Sequence, residues 1–187
     1  LAGTEDNFAK LMNAEAKRLG MTHTNFVNAT GLPDPAHRSS ARDLAILARA
    51  IIHDSADFYP IYAEREFTYN KIKQGNRNAL LYTDPPVDGL KTGHTQEAGY
   101  CLVTSSKRND MRLITVILNT NSMQARADQT RALLNWGFSR FEKAVPIQPN
   151  AQVAVAKVIF GKADTVPAVL GAPWTITVPK GQKLETA

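Results

Sequence analysis

The chain has 187 residues, is 43% hydrophobic and 21% charged, and carries a formal net charge of +5. This size fits one globular domain, or one domain with part of a second. No apolar run reaches the roughly 18 residues that a transmembrane helix needs, so none is predicted. Cys101 is the single cysteine, which excludes an internal disulfide and a metal site built from several cysteines. The basic residues are scattered rather than grouped, which argues against a nucleic-acid-binding protein.

The first part of the chain predicts two helices separated by a long loop. Apolar residues at helical spacing predict a helix over residues 4–19, with Thr4 as its N-cap. Residues 21–39 show no period and are rich in Thr, Asn, Pro and Gly, and long ordered loops of this kind are often functional. Ser40 is placed to cap a second helix over residues 40–53. The residues predicted to face inward are Phe8, Leu11, Met12, Ala16 and Leu19 in the first helix and Leu44, Leu47, Ala48 and Ile51 in the second.

The next segment predicts a short helix and then a pair of strands. Pro60 is expected to break the helix within residues 54–63. Alternation of apolar and polar residues over 66–72 predicts a half-buried strand. Residues 74–76 predict a turn, and residues 77–82 the returning strand.

The strongest strand signal follows. The runs Val87–Thr95, Gly99–Ser105 and Met111–Asn119 are rich in residues that favour strands. With turns at residues 95–98 and 107–110, they predict three neighbouring antiparallel strands. Cys101, in mid-strand, is expected to be a small buried apolar side chain.

The last part of the chain predicts a helix and then a change to strands. Asn121 or Ser122 is expected to cap a helix that reaches about Phe141. Beyond the Pro-containing segment 145–149 the pattern is β, but the strands are too few for a complete sandwich or barrel. We therefore expect one domain over residues 1–144 and the beginning of an all-β domain over residues 145–187.

Lys91-Thr92-Gly93 forms a compact edge suited to an anion. Lysine supplies a point charge, threonine a donor, and glycine lets a ligand approach the backbone. The tripeptide alone is also typical of a surface turn with a solvated lysine, because short motifs recur by chance. In serine β-lactamases and penicillin-binding proteins, Lys-Thr-Gly accompanies Ser-x-x-Lys and Ser-Asp-Asn motifs.

Seven blocks along the chain, in one order, carry a resemblance to a single family. They are Phe8 with Leu11-Met12-Asn13; Ala41-Arg42-Asp43; Asn76-Arg77-Asn78; Val87 to Thr95; Ala98-Gly99-Tyr100; Met111-Arg112-Leu113-Ile114; and Trp136-Gly137-Phe138. Together they resemble the penicillin-binding protein 5-type, low-molecular-mass D-alanyl-D-alanine carboxypeptidases, over nearly the whole chain. The resemblance implies an α/β (α+β) fold of the serine β-lactamase and transpeptidase type. In that fold an antiparallel sheet is flanked by helices and followed here by a partial all-β domain.

The resemblance also implies a function. Family members are periplasmic serine-type hydrolases, peripheral to the inner membrane, that remove the terminal D-alanine from peptidoglycan pentapeptides through an acyl-serine intermediate. β-Lactam antibiotics acylate the same serine. The expected partners are thus the pentapeptide and β-lactams, with membrane contact only through a C-terminal amphipathic helix that this sequence lacks. No cofactor and no metal is predicted, since His23, His37 and His53 do not cluster at ligand spacing.

One departure from the family is decisive. Neither Ser-x-x-Lys nor Ser-x-Asn occurs in the sequence. The nearest run, Thr104-Ser105-Ser106-Lys107, is rejected because it lies at a strand-to-turn position, whereas the family places the nucleophile at the start of a helix. Since Leu1 is not a methionine either, we expect a cut or processed N-terminus and a fragment that is inactive alone. The missing N-terminal segment, in cis or as a second chain, is a further expected partner.

The resemblance assigns roles around the Lys-Thr-Gly edge. Lys91 and the Thr92 hydroxyl suit the terminal carboxylate of the substrate. Gly93 permits the peptide to bind as an added strand. The His94 backbone N–H matches one donor of the oxyanion hole, whereas its ring lacks the orienting partner that a general base needs.

Two arginines match positions near the family's cleft. Arg126 is the better match to the arginine that holds the substrate carboxylate, and Arg77 is the second. For both arginines, a side chain that lies in solvent is an equally good interpretation of the sequence. Asp88 is expected to fix the turn into the strand, and the large aromatic side chains Tyr100, Trp136 and Phe138 are expected to lie in the core.

Three functional hypotheses remain open. The first is a serine D,D-carboxypeptidase, which the Pro-containing junction and the β tail favour. The second is a D,D-endopeptidase or β-lactamase-like hydrolase on the same scaffold. The third is a non-catalytic peptidoglycan- or protein-binding module that keeps the Lys-Thr-Gly edge without a nucleophile.

Overall fold

The computed structural model describes residues 2–184 and divides into two units, residues 1–136 and 137–187. The helices are α1 (Glu5–Leu19), α2 (Ala41–Asp54), α3 (Leu80–Thr83) and α4 (Met123–Arg140), with a 3-10 helix over Tyr59–Ala63. The strands of the first unit are β1 (Glu66–Tyr69), β2 (Ile72–Gly75), β3 (Val87–Thr95), β4 (Gly99–Arg108) and β5 (Met111–Thr120). Those of the second unit are β6 (Phe141–Ile147), β7 (Gln152–Lys157), β8 (Thr165–Val169) and β9 (Trp174–Pro179).

Helix α1 begins and ends where the sequence predicts. The Thr4 hydroxyl accepts a hydrogen bond from the Asn7 backbone N–H at 3.2 Å, and Gly20 closes the helix with φ at 80°. Its buried residues are Ala9 and Ala16, so a narrow stripe of small side chains faces inward. The predicted inward position of Leu11 is wrong, since Leu11 is 56% exposed.

Helix α2 covers one face of the central sheet. The Ser40 hydroxyl caps it by accepting from the Asp43 N–H at 3.1 Å, as predicted. Ala48 packs with Tyr59 and Leu90, and half-buried apolar residues of α2, the 3-10 helix, β4 and β5 pack against them. This cluster joins α2, the 3-10 helix and β3 in one core.

The central sheet has the predicted three antiparallel strands in the order β3–β4–β5. In its register Lys91 lies opposite Val103, and Gly93 opposite Cys101. Helix α4 follows the sheet, and the Ser122 hydroxyl caps it by accepting from the Ala125 N–H at 3.0 Å. Trp136 is 54% exposed, which contradicts its predicted place in the core.

The predicted strand over residues 66–72 is wrong, because a turn divides it into β1 and β2. Asn70 and Lys71 have φ values of 47° and 65°, and they form the two-residue connection of a tight hairpin. The predicted turn at 74–76 is therefore wrong as well, since β2 ends at Gly75. The predicted strand over residues 77–82 is instead a loop that leads into α3. All eight hairpin residues are exposed rather than half-buried.

Pro60 lies in the first turn of a helix rather than breaking one, so the predicted break is wrong. It lies in the first turn of the 3-10 helix, where a missing backbone N–H leaves no hydrogen bond unmade. Tyr59, just before it, is buried.

The second unit consists of strand pairs, as the sequence predicts. Strand β6 pairs with β9, and β7 pairs with β8, both antiparallel. The predicted domain boundary at residue 145 falls inside strand β6. The division of the chain into domains at that residue stays a prediction. Among the helices that the structure describes, none is long and apolar enough to cross a membrane.

Candidate active site

A cavity of about 900 Å³ opens in the first unit. Its walls come from the loop of residues 21–39, from α2, from β3 and β4, and from the start of α4. The structure places all six predicted substrate-binding residues on this cavity: Arg77, Lys91, Thr92, Gly93, His94 and Arg126. Their individual roles stay predictions.

The Lys-Thr-Gly edge lies in mid-strand rather than in a turn. Lys91 is exposed, and its ammonium donates to the Thr92 carbonyl. A Cβ added to Gly93 would lie 3.9 Å from the Cys101 Cβ, which is an ordinary contact. The described chain alone therefore accommodates alanine at Gly93, and the position is open to a ligand. Cys101 is half-buried and lines the cavity, so its predicted full burial is wrong.

The His94 ring is held by stacking. Its centroid lies 3.9 Å from that of Tyr100, with 29° between the planes. Tyr100 is half-buried on the cavity wall rather than in the core, which corrects the expectation for it. Among residues 2–184, no side chain makes a hydrogen bond to the His94 ring. The stack fixes the ring without giving it the acceptor that a general base would need.

Arg126 is buried at the point where three segments meet. It is 4% exposed, and its guanidinium donates to the carbonyls of Gly93 at 3.4 Å, Cys101 at 3.3 Å and Arg77 at 3.3 Å. Desolvation by burial lowers the pKa of Arg126 from its ordinary value. The alternative of a solvated arginine is therefore wrong for Arg126. It remains open for Arg77, whose side chain is exposed at the cavity rim.

Asp88 is tied to its surroundings by two partners that the sequence pattern did not reveal. Arg112 lies 2.7 Å from one carboxylate oxygen, and the Tyr59 hydroxyl donates to the other at 2.9 Å. Burial raises the pKa of Tyr59 to about 12. No local signal could have identified these contacts, because the partners are 24 and 29 residues away in the chain.

The loop of residues 21–39 is fixed near its start by side chains of α1 and α2. Asn13 of α1 exchanges two hydrogen bonds with the Phe26 backbone, at 2.7 and 2.8 Å. The Asp43 carboxylate, in the first turn of α2, accepts from the Thr24 hydroxyl at 2.7 Å and from the His23 N–H at 2.8 Å. The Thr24 hydroxyl is the main reason that the pKa of Asp43 lies below its ordinary value. The length of the loop predicts a functional role, which stays a prediction, and it does not predict that Thr30, Gly31 and His37 line the cavity.

The electrostatics of the cavity favour an anionic ligand. Arg77, Lys91 and Arg126 line it, and none of the described residues around it is Asp or Glu. Apolar residues of α2, Leu44, Leu47, Ala48 and Ile51, form another part of the wall. No group of three His, Cys, Asp or Glu residues within the described part of the chain could hold a metal ion. The site suits an anion attached to a partly apolar molecule.

Comparison with known proteins shows which family this sequence is similar to. The sequence profile of the D-alanyl-D-alanine carboxypeptidase family matches residues 1–122. The chain is 45% identical over 183 residues to D-alanyl-D-alanine carboxypeptidase DacC of Escherichia coli K12, covering 97% of this chain and 46% of DacC. The chain thus spans about half the length of the curated relatives it matches.

Solved structures show the same fold. Penicillin binding protein 5 from Haemophilus influenzae superposes with a TM-score of 0.85 at 41% identity, over 96% of this chain and 53% of that one. Penicillin-binding protein D2 from Listeria monocytogenes, solved in its cefotaxime-bound form, gives a TM-score of 0.66 at 34% identity, over 71% and 55%. The predicted fold class, an antiparallel sheet flanked by helices of the transpeptidase type, is confirmed.

Proposed function

The chain belongs to the D-alanyl-D-alanine carboxypeptidase family, and on this premise we propose that it forms the carboxylate-binding half of a serine-type D-Ala-D-Ala carboxypeptidase site. The substrate is the peptidoglycan pentapeptide, in the bacterial periplasm. One observation carries the proposal. The Lys91-Thr92-Gly93 edge lines a cavity that has three cationic side chains and no carboxylate among its described residues.

The residues of this chain bind and orient the substrate. Lys91 and the Thr92 hydroxyl hold the terminal carboxylate by charge-assisted hydrogen bonds. The peptide lies along β3 as an added strand, and Gly93 leaves room for its backbone. The His94 backbone N–H then faces the scissile carbonyl and stabilises the negative charge that develops on its oxygen.

Arg126 holds the Lys91-Thr92-Gly93 edge in place through its buried guanidinium. Its hydrogen bonds to the carbonyls of Gly93 and Cys101 tie β3 to β4 at the cavity. The same guanidinium donates to the Arg77 carbonyl and so fixes the position of this rim arginine. Arg126 therefore acts on the substrate both by its charge and by fixing the strand that binds it.

The nucleophile is supplied from outside these 187 residues. The sequence contains neither Ser-x-x-Lys nor Ser-x-Asn. In the proposed reaction the serine attacks the carbonyl of the penultimate D-alanine, and the terminal D-alanine leaves with its amine protonated. Water then cleaves the acyl-serine ester and regenerates the hydroxyl. β-Lactams present a carboxylate and an acylating carbonyl to the same groups.

A chimeric enzyme tests this function. In it, residues 1–187 replace the matching segment of Escherichia coli DacC, whose remaining half completes the fold. We expect the chimera to be acylated by fluorescent penicillin and to release D-alanine from a D-Ala-D-Ala pentapeptide, whereas the 187-residue chain alone does neither. Unaltered DacC is the positive control. A folded chimera that showed neither acylation nor D-alanine release would contradict the proposal.

The missing nucleophile motif favours one second candidate, a binding module without catalysis. The protein with its own upstream sequence separates the two functions, because the chimera takes its serine from DacC. A catalytic protein forms a penicillin adduct that survives denaturation and is seen by mass spectrometry. A binding module would retain the pentapeptide reversibly and would form no adduct.

A further inference from the structure

His37 is held in a defined tautomer beside the cavity. The Val27 backbone N–H donates to His37 Nδ1 at 3.2 Å. A ring nitrogen that accepts carries no proton, so the neutral imidazole carries its proton on Nε2. The Phe26 ring contacts the imidazole edge-on, with centroids 5.7 Å apart and 68° between planes. Within residues 2–184, Nε2 has no hydrogen-bond partner.

The support under His37 is rigid. The backbones of Asn25 and Arg38 exchange two hydrogen bonds, at 2.8 and 3.0 Å, and these close the loop next to the imidazole. The Asn13 and Asp43 side chains fix the same loop from α1 and α2. A donor on such a support keeps its position when a ligand binds, which lowers the entropic cost of using it.

The cavity offers this donor no carboxylate partner. His37 lines the same cavity as Lys91 and Thr92, and the described residues around it include no Asp or Glu. The terminal carboxylate of the substrate is assigned to Lys91 and Thr92. An acceptor for His37 must therefore come from another part of the bound molecule, and the stem peptide carries a carbonyl at every residue.

We propose that His37 Nε2–H donates a hydrogen bond to a backbone carbonyl of the stem peptide, upstream of the terminal D-Ala-D-Ala. His37 is thus a specificity-determining residue that favours peptide substrates over small β-lactams. This inference rests on the proposed function. A neutral hydrogen bond of this kind changes affinity by about threefold to tenfold.

Two substitutions separate the two ring nitrogens. In His37→Asn, the amide oxygen replaces Nδ1 as the acceptor for Val27, and the Nε2 donor is lost. In His37→Gln, the longer amide supplies a donor near the Nε2 position, and the acceptor for Val27 is lost. The first variant keeps the loop closed without the substrate contact, and the second keeps the contact on a less constrained loop.

Both variants are made in the DacC chimera and compared on two ligands. One is a pentapeptide ending in D-Ala-D-Ala, and the other is 6-aminopenicillanic acid, which has no peptide stem. We expect His37→Asn to raise KM for the pentapeptide about threefold to tenfold, with kcat and acylation by 6-aminopenicillanic acid within twofold of the unsubstituted chimera. His37→Gln is expected to lower Tm yet keep KM closer to the unsubstituted value.

The outcomes distinguish this inference from its premise. An unchanged KM in His37→Asn overturns it. An equal loss on both ligands also overturns it, because a merely structural role affects every ligand alike. If the unsubstituted chimera is not acylated by 6-aminopenicillanic acid at all, the proposed function itself fails, and this inference fails with it.

Discussion

The guanidinium of Arg112 in β5 lies 2.7 Å from the carboxylate of Asp88 in β3, although β4 separates these strands. The same guanidinium donates to the Ser105 hydroxyl of the intervening strand β4 at 2.6 Å. It also lies 5.4 Å from the centre of the Tyr59 ring. The Arg112 side chain therefore joins all three strands, and it does so at Asp88, three residues before Lys91.

Removal of this side chain is expected to destabilise the sheet. Arg112→Ala loses hydrogen bonds to a charged partner in a half-buried setting, so we expect a loss of about 1.5–3 kcal/mol in the free energy of unfolding. Urea denaturation of the DacC chimera measures it. Lys107→Ala is the control, because Lys107 pairs with Asp110 in solvent and is worth roughly 0–1 kcal/mol. Equal losses in the two variants would show that the Arg112 contacts add nothing to the sheet.

The Tyr59 hydroxyl leaves no space for a side chain at Gly89. A Cβ at Gly89 would lie 2.7 Å from that oxygen, and the next nearest atom of the ring is at 3.3 Å. We expect Gly89→Ala to cost about 1–3 kcal/mol by overpacking. In a Tyr59→Phe background the oxygen is absent, so the same substitution should cost at least about 0.5 kcal/mol less. A double-mutant cycle by urea denaturation measures this coupling.

Gly93→Ala is the matched control for that cycle. Its added Cβ would meet nothing closer than 3.9 Å, so we expect the free energy of unfolding to change by no more than about 0.5 kcal/mol. Additive effects of Gly89→Ala and Tyr59→Phe would show that the hydroxyl does not set the space at Gly89.

Local chemistry explains which parts of this fold the sequence predicts. The sequence predicts Thr4 and Ser40 as caps, and Ser122 as one of two candidates, because a cap depends on a hydroxyl and the next three residues. The central strands were predicted from their β-rich composition, and their order from short turns. The sequence does not predict this hairpin, because Asn70-Lys71 carries no glycine, although asparagine tolerates the left-handed conformation.

Contacts between distant residues explain what the sequence could not predict. The candidate site was recognised by its Lys-Thr-Gly motif, but the burial of Arg126 depends on carbonyls up to 49 residues away. The anchoring of the loop depends likewise on Asp43, whose partners Thr24 and His23 lie 19 and 20 residues away in the chain. Side chains that act across the fold leave no periodic pattern, so only the tertiary structure identifies them.

The Asp43 carboxylate is expected to make the stability of the folded state depend on pH. The Thr24 hydroxyl is the main reason that the pKa of Asp43 lies below its ordinary value of 3.8, so the folded state holds the charged form more strongly than the unfolded state. Its contribution is therefore fully present above 3.8 and is lost as the pH falls through the lowered folded pKa. We expect Asp43→Asn to lower the Tm of the chimera near neutral pH, with a difference that shrinks below about pH 4.

Thermal unfolding between about pH 3 and pH 7 measures this effect. Asp57→Asn removes an exposed carboxylate just beyond the same helix and serves as the control for the change in charge. If the difference between Asp43→Asn and the unsubstituted chimera did not change with pH, the carboxylate would not be the group that holds the loop.

Lys91 is expected to act mainly on the substrate rather than on stability. Its side chain is exposed and donates only to the neighbouring Thr92 carbonyl, so Lys91→Ala should leave Tm nearly unchanged. Loss of a charge-assisted contact to carboxylate should weaken transition-state stabilisation by about 1.5–3 kcal/mol, which lowers kcat/KM of the chimera by about 10- to 160-fold. Lys91→Arg should recover only part of this loss, because a planar fork replaces a point charge. Unchanged kinetics in both variants on the pentapeptide would exclude the role.

The 187-residue chain alone is expected not to unfold cooperatively. Among the described residues, Val178 is the single buried apolar side chain of the second unit, and all six residues of β7 are exposed. In the first unit, Phe67 and Tyr69 are 66% and 70% exposed. Each few hundred Å² of apolar surface left in water forfeits several kcal/mol at about 25 cal/mol per Å², and the whole stability of a domain is only about 5–15 kcal/mol.

Calorimetry and an NMR spectrum of the isolated chain test this expectation. We expect a broad or absent thermal transition, poorly dispersed amide signals and binding of a hydrophobic dye, whereas the DacC chimera shows a sharp transition under the same conditions. The chimera controls for sequence, because it contains every residue of the isolated chain. A cooperative transition together with a dispersed spectrum for the isolated monomer would show that the apolar residues buried within this chain are sufficient to hold the fold.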